Sequence, residues 1–252
     1  MNLGIKDKLT FVTGSSKGIG LTIATQLAKE GARLILVART ESLLKRISNE
    51  IDYFHKHHIH FALDLLPKGQ ADKLAKTILK KVGPPEIIVH NLGGSLNVTD
   101  YLAASDQWQK VWYYNLGIAI DLNKYFIPEM IKKKWGRIIM LSTLSTVTYN
   151  GYSPYVSAKM ALNGYVKSVG RQLAADNVIL SAIAPGAIYI EGRYFANLKK
   201  EDPVKLEEYF RNHLPRAKLG QPEEIASVVT FLCSKYATFM SGSIVGVDGG
   251  GM

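Results

Sequence analysis

The sequence predicts an α/β protein, a parallel sheet with helices packed on both of its faces. Three observations carry that expectation. Short β-branched runs alternate with longer amphipathic stretches along all 252 residues. Runs such as Leu34-Ile35-Leu36-Val37 are apolar throughout, the pattern of a strand covered on both sides. A glycine-rich turn, Thr13-Gly14-Ser15-Ser16-Lys17-Gly18-Ile19-Gly20, joins the first run to the first amphipathic stretch.

The elements follow in order. Leu9 to Thr13 reads as a buried strand, and Gly18 to Glu30 as a helix with Ile19, Ile23, Leu27 and Ala28 at helical spacing. Gly31 stops that helix. Leu34 to Val37 is the second strand, after which Thr40 is expected to cap a helix reaching Tyr53. Strands are expected at Ile59–Ala62, Ile87–His90 and Arg137–Leu141, with helices at Gln70–Val82 and Asp106–Lys134. A long helix over Pro154–Ala175, a strand at Leu180–Ala184, a helix at Pro222–Leu232 and a strand at Ile244–Val247 complete the alternation. No repeat or linker interrupts it, so residues 1–252 read as a single domain. The exception is Glu191 to Leu219, polar, charged and broken by Pro203 and Pro215. Its place after a strand end marks it as a mobile lid.

Composition narrows the class. No run of about 18 uncharged apolar residues is present, so no membrane span is expected. The opening residues lack the apolar stretch of a secretory signal, and Cys233 is the only cysteine, which excludes an intrachain disulfide. A cytoplasmic setting is the expectation. The net charge of +10 is unusual, but the basic groups (Lys80-Lys81, Lys132-Lys133-Lys134, Lys199-Lys200) are short and read as solvated helix ends. No recognition motif accompanies them, so no nucleic-acid partner is expected. His55, His57, His58 and His60 have no acid at ligand spacing, and no metal is expected there.

The glycine turn carries chemistry. Glycines allow a tight bend and a close approach of backbone to a pyrophosphate. The helix beginning at Gly18 then offers N–H groups and the positive end of its dipole to the phosphates. These features predict a doubly wound, Rossmann-type dinucleotide fold. The acid that holds a ribose diol about 20 residues on is replaced by Ala38 and Arg39. With Arg39 and Lys17 able to reach a 2′-phosphate, NADP(H) is expected in preference to NAD(H).

Tyr155 and Lys159 stand four apart on the predicted long helix and share one face. A phenol near pKa 10 is a poor acid or base at neutral pH, and a neighbouring ammonium lowers it into working range.

With these motifs, and with Pro185-Gly186, Gly220-Gln221-Pro222-Glu223-Glu224 and Val247-Asp248-Gly249-Gly250, the chain resembles the short-chain dehydrogenase/reductase family over its whole length. Within it the likeness is to the group that includes 3-oxoacyl-thioester reductases. The resemblance implies NADP(H)-dependent interconversion of a small-molecule carbonyl and an alcohol. Tyr155 would be the general acid/base, Lys159 its pKa-lowering neighbour and nicotinamide-ribose contact, and Asn115 the keeper of a water-linked proton path. It implies cofactor contacts at Gly14, Ser16, Lys17, Gly18, Ile19, Gly20, Arg39, Asp64, Leu65, Asn91, Gly93, Tyr155, Lys159, Pro185, Gly186 and Ile188. It also implies a homotetramer with Val228–Val247 at one interface. The alternative is a non-catalytic NADP(H)-binding sensor or scaffold.

The substrate-facing hydroxyl has two readings. Counting back thirteen positions from Tyr155 gives Ser142, and counting forward from Gly136-Arg137-Ile138 gives Thr143. Ser142 is the choice, with Ser145 third. Two departures bear on the cofactor. His90-Asn91-Leu92-Gly93 stands for the family's Asn-Asn-Ala-Gly, and Ile190 stands where a threonine is common. Tyr149, Tyr152, Tyr189, Tyr194 and Phe195 fall on predicted loops of the substrate side and point to a bulky or apolar substrate.

Overall fold

The computed structural model describes residues 1–54 and 58–251. Seven strands form one parallel sheet: β1 (Leu9–Thr13), β2 (Arg33–Ala38), β3 (Ile59–Ala62), β4 (Ile87–His90), β5 (Gly136–Leu141), β6 (Val178–Pro185) and β7 (Ile244–Val247). Their order across the sheet is β3-β2-β1-β4-β5-β6-β7. The order reverses direction at β1, which pairs with both β2 and β4. In such a sheet the crevice beyond the carboxyl ends at that switch point is where ligands bind.

The helices are α1 (Gly18–Lys29), α2 (Glu41–Ile51), α3 (Gln70–Lys81), α4 (Ser105–Trp112), α5 (Ile118–Lys133), α6 (Ser145–Thr148), α7 (Ser153–Leu173), α8 (Tyr194–Glu201), α9 (Pro203–His213) and α10 (Pro222–Leu232). Strand side chains alternate between two cores. Val12, Leu34, Leu36, Val89, Ile139 and Ile183 pack with α1, α2 and α10. Phe11, Ile35, Val37, Ile88, Ile138 and Leu180 pack with α3, α5 and α7 on the other face. That division is why the runs are apolar at every position.

Three sequence expectations change. The helix expected at Asp106–Lys134 is divided by a π-helical turn, Tyr113–Gly117, between α4 and α5. Thr40 stands at the start of α2 but makes no side-chain cap. The 191–219 segment, for which the sequence predicts no helix, folds into α8 and α9, whose Leu198 and Leu206 meet Leu214, Leu219 and Ala187 in a small core of their own. Asp202 caps α9 by accepting from Lys205 N at 3.0 Å, and Pro203 takes the first helical position. Both ends of the segment are tied at its base, where Tyr189 N donates to Gly220 O and Gly220 N to Ala187 O.

Candidate active site

The phosphate loop leaves β1 and enters α1. Gly14 and Gly18 both take positive φ, 66° and 53°, and the crowding is severe. A Cβ at Gly20 would lie 2.3 Å from both Asn91 Nδ2 and Gly14 O, so only glycine fits. Asn91 Nδ2 donates to Gly14 O at 3.1 Å, and Thr13 Oγ1 accepts from the backbone of Asn91 and Leu92. The loops after β1 and β4 are thereby locked together. Leu92 fills space beside Gly14, its Cδ2 3.2 Å from where a Cβ would stand there. Ile190 lies over Gly18 at the same separation and joins the apolar cluster of α1.

Around this loop, Lys17 and Arg39 are exposed, Ser16 is half-buried, and Ile19 packs on the core. Asp64 is exposed with its carboxylate on Leu66 N, while Leu65 is buried beside it. Tyr114, which sequence reasoning missed, shares this region. Burial raises its pKa, and its hydroxyl also feels the charges of Arg39, Asp64 and Arg193. Pro185 ends β6, Gly186 packs so closely on Asp248 that a Cβ would come within 2.7 Å of its Cα, and Ile188 bridges to Gly220.

Tyr155 and Lys159 occupy the first turns of α7. Lys159 Nζ lies 5.8 Å from the Tyr155 ring centroid and donates to Leu141 O at 2.5 Å. Its side chain is sealed from water, and burial pushes its pKa down to about 7. Burial moves Tyr155 the other way, raising its pKa, and the influence that lowers it is a hydrogen bond with Thr143. The sequence expectation assigns that lowering to Lys159, whose Nζ here donates to Leu141 O while standing over the Tyr155 ring. Asn115 sits in the π turn. Its Nδ2 donates to Gly94 O and Val111 O, each at 2.8 Å, and its Oδ1 accepts from Gly94 N. The widened turn suits such a side-chain insertion, and π turns recur at functional sites. Gly93 lies between the two groups: a Cβ there would be 2.7 Å from Asn115 Oδ1 and 2.8 Å from Lys159 Nζ.

Of the two candidate hydroxyls, the structure brings Thr143, not Ser142, to Tyr155. Ser142 is buried and its Oγ donates to Asn163 Oδ1 at 2.6 Å. The choice of Ser142 counted positions along the chain, whereas the direction of each hydroxyl depends on how the chain turns after β5. Thr143 Oγ1 accepts from Ser145 N at 3.2 Å, which places Ser145 as its neighbour. Thr146 and Asn163, also missed, complete a polar cluster beneath this turn.

The remaining candidates separate. Tyr149, Tyr152 and Tyr194 are exposed. Phe195 packs on Tyr194 and Tyr209 between α8 and α9, and the Tyr189 hydroxyl donates to Glu191. His55 and His57 lie outside the described residues. His58 Nδ1 accepts from Leu34 N at 3.0 Å, and His60 Nδ1 lies 3.2 Å from Ser48 Oγ. His90 is buried against Asn123, which bonds Tyr165, and burial pushes its pKa down to about 4, so it is neutral at physiological pH.

Comparison with known proteins gives this arrangement a family. A family model described as enoyl-(acyl carrier protein) reductase matches residues 14–251, and the chain belongs to the short-chain dehydrogenase/reductase family of oxidoreductases. The chain is 31% identical over 252 residues to a 3-oxoacyl-(acyl-carrier-protein) reductase of Aquifex aeolicus, covering 99% of each. Its structure resembles L-sorbose reductase of Gluconobacter frateurii, solved with NADPH and L-sorbose, with a TM-score of 0.92 and 31% identity over 100% of this chain and 99% of that one. A 7α-hydroxysteroid dehydrogenase solved with NADH and 7-oxo glycochenodeoxycholic acid is similar at TM-score 0.89 and 28% identity, over 100% and 96%. Among the described residues no helix is long and apolar enough to cross a membrane.

Proposed function

We propose that the chain is an NADP(H)-dependent reductase that interconverts a carbonyl and an alcohol, with Tyr155 handling the proton. The observation that carries this reading is Tyr155 flanked by the Thr143 hydroxyl and the buried Lys159. The residues present suit the dinucleotide. Gly14, Gly18, Gly20 and Gly93 pack so closely that a Cβ at each would come within 3.2 Å of other protein atoms, which keeps this backbone tight beside the α1 N-terminus, where phosphates bind.

Gly14, Ser16, Lys17, Gly18, Ile19 and Gly20 would hold the pyrophosphate, with Arg39 and Lys17 on the 2′-phosphate. Asp64 and Leu65 would flank the adenine. Asn91, Gly93, Tyr155 and Lys159 would hold the ribose of the nicotinamide, which Pro185, Gly186 and Ile188 would line. When bound, NADPH supplies the hydride. In reduction the Tyr155 O–H gives its proton to the carbonyl oxygen, and the Thr143 hydroxyl donates a hydrogen bond to that same oxygen. Lys159 steadies the phenolate left behind, and Asn115 keeps Gly94 and the α4–α5 turn in place beside it. In oxidation the proton returns to Tyr155. α8 and α9 would cover the substrate as a lid, with Tyr149 and Tyr152 at its mouth. The relatives act on a sugar, a steroid and an acyl thioester by their names, so the reading extends to the carbonyl and not to the rest of the substrate. The proposal includes a homotetramer, with exposed Phe231 and Phe239 at one interface.

The test is NADPH oxidation against a panel of ketones, aldoses, oxo-steroids and 3-oxoacyl thioesters, followed by two variants on the best substrate. Removing a donor to the reacting oxygen costs about 100-fold or more in kcat, so Thr143→Val should lose that much while Ser142→Ala, which only loosens the turn, loses about tenfold. The reverse ranking would return the role to Ser142.

A further inference from the structure

Asn163 stands one turn beyond Lys159 and two beyond Tyr155 on α7, so the three side chains fall in one row. Both ends of its amide are engaged. Ser142 Oγ donates to Asn163 Oδ1 at 2.6 Å, Asn163 Nδ2 donates to Thr146 Oγ1 at 3.0 Å, and Thr146 Oγ1 donates to the Thr143 carbonyl at 2.8 Å. These bonds run in one direction, from hydroxyl to amide oxygen and from amide nitrogen through hydroxyl to carbonyl. The two ends of the chain of bonds grip the residue before Thr143 and the backbone of Thr143 itself. The outer side of the same turn is tied to β6, where Ser142 N donates to Ile183 O at 2.8 Å and Leu144 N to Pro185 O at 2.9 Å. Thr143 Oγ1 accepts from Ser145 N at 3.2 Å and donates to Ser145 Oγ at 3.3 Å, so the same turn also fixes the hydroxyl whose hydrogen bond lowers the Tyr155 pKa.

We propose that Asn163 is a positioning residue for the carbonyl/alcohol reaction: by clamping Ser142 and Thr146 it fixes the turn that holds the Thr143 hydroxyl on Tyr155. This rests on the function proposed above. An amide is suited to the task because it accepts at one end and donates at the other. A carboxylate of the same shape accepts at both ends and cannot donate to Thr146. A hydrocarbon does neither: it leaves the buried Ser142 hydroxyl without its acceptor and Thr146 Oγ1 without its donor.

The experiment compares Asn163→Leu, Asn163→Asp and Thr146→Val with wild type. It measures kcat and KM for NADPH and for the best carbonyl of the panel. In cofactor-free protein labelled with 13C at the tyrosine Cζ, NMR also gives the ionisation midpoint of Tyr155, assigned through Tyr155→Phe. Small displacements of reacting groups cost about tenfold to 100-fold in rate, so each variant should lose at least about tenfold in kcat with KM for NADPH unchanged. The Tyr155 midpoint should rise in Asn163→Leu and Thr146→Val, because a displaced Thr143 no longer stabilises the phenolate. The double variant Asn163→Leu/Thr146→Val should lose no more than the worse single one, as expected for groups acting through one path. Thr146→Val removes one hydroxyl at nearly constant shape and carries the test if Asn163 variants fold poorly. Wild-type kcat and an unmoved Tyr155 midpoint in Thr146→Val and in folded Asn163→Leu would overturn the proposal, as would a fall in melting temperature alone. A wild-type protein that turns over nothing on the panel would instead sink the function on which this rests. The NMR midpoint would then still decide whether Asn163 holds Thr143 on Tyr155.

Discussion

Lys159 is an amine in a place that resists its charge. It is 2% exposed, and burial holds its pKa near 7, against about 10.4 for a lysine in water. Between those two values the unfolded chain binds a proton that the folded protein does not, so stability rises with pH across that window and is lowest below about 7. Replacing the amine by an apolar group of similar length should therefore stabilise the cofactor-free protein on the acid side. Lys159→Met is expected to melt a few degrees higher than wild type at pH 6, at roughly 2–4 °C per kcal/mol for a chain of this size, with the gain fading toward pH 10. Equal melting temperatures at pH 6 would contradict the burial argument. The Tyr155/Lys159 pair was legible in the sequence because helical spacing alone sets it. Its hydroxyl partner was not, since Ser142 and Thr143 are adjacent and only the turn after β5 decides which one faces the phenol. Asn163 and Tyr114 gave no sequence signal because their neighbours come from distant segments.

The site is a set of strand ends. Arg39 follows β2, Asp64 follows β3, Asn91 follows β4, Thr143 follows β5 and Pro185 ends β6. Because the parallel register aligns those ends, residues far apart in sequence meet along one edge. Within the proposed cofactor site, Arg39 is the element-end residue that discriminates the 2′-phosphate. Arg39→Asp removes a charge-assisted contact and adds a repulsive one, and should weaken NADPH relative to NADH by on the order of tenfold or more. Binding of the two cofactors, followed by their fluorescence, checks this, and an unchanged ratio would take Arg39 out of the phosphate site. The strands read well in the sequence because both faces are buried and β-branched residues fill them. The π turn did not, because it is a one-residue widening inside a continuous helical pattern. α8 and α9 were hidden by a polar composition, although Asp202-Pro203 is a recognisable cap signal.

At the scale of the molecule, two apolar cores clamp the sheet, and the 194–213 helices form a third, separate one joined at the Ile188–Gly220 bridge. That division sets the sheet and its flanking helices, which carry the phosphate loop and Tyr155, apart from the small 194–213 helical segment. The family follows from the former, which the sequence motifs mark residue by residue. In the proposed function the latter covers the substrate, although its aromatic side chains are largely spent on their own packing. The central claim, that Tyr155 handles the proton in an NADP(H)-dependent reaction, is met most directly by one comparison. Wild type and Tyr155→Phe are measured for NADPH binding by fluorescence and for kcat on the best carbonyl of the panel. The account predicts NADPH binding retained and kcat reduced by about 100-fold or more, the scale of a positioned general acid; wild-type kcat in Tyr155→Phe would contradict it.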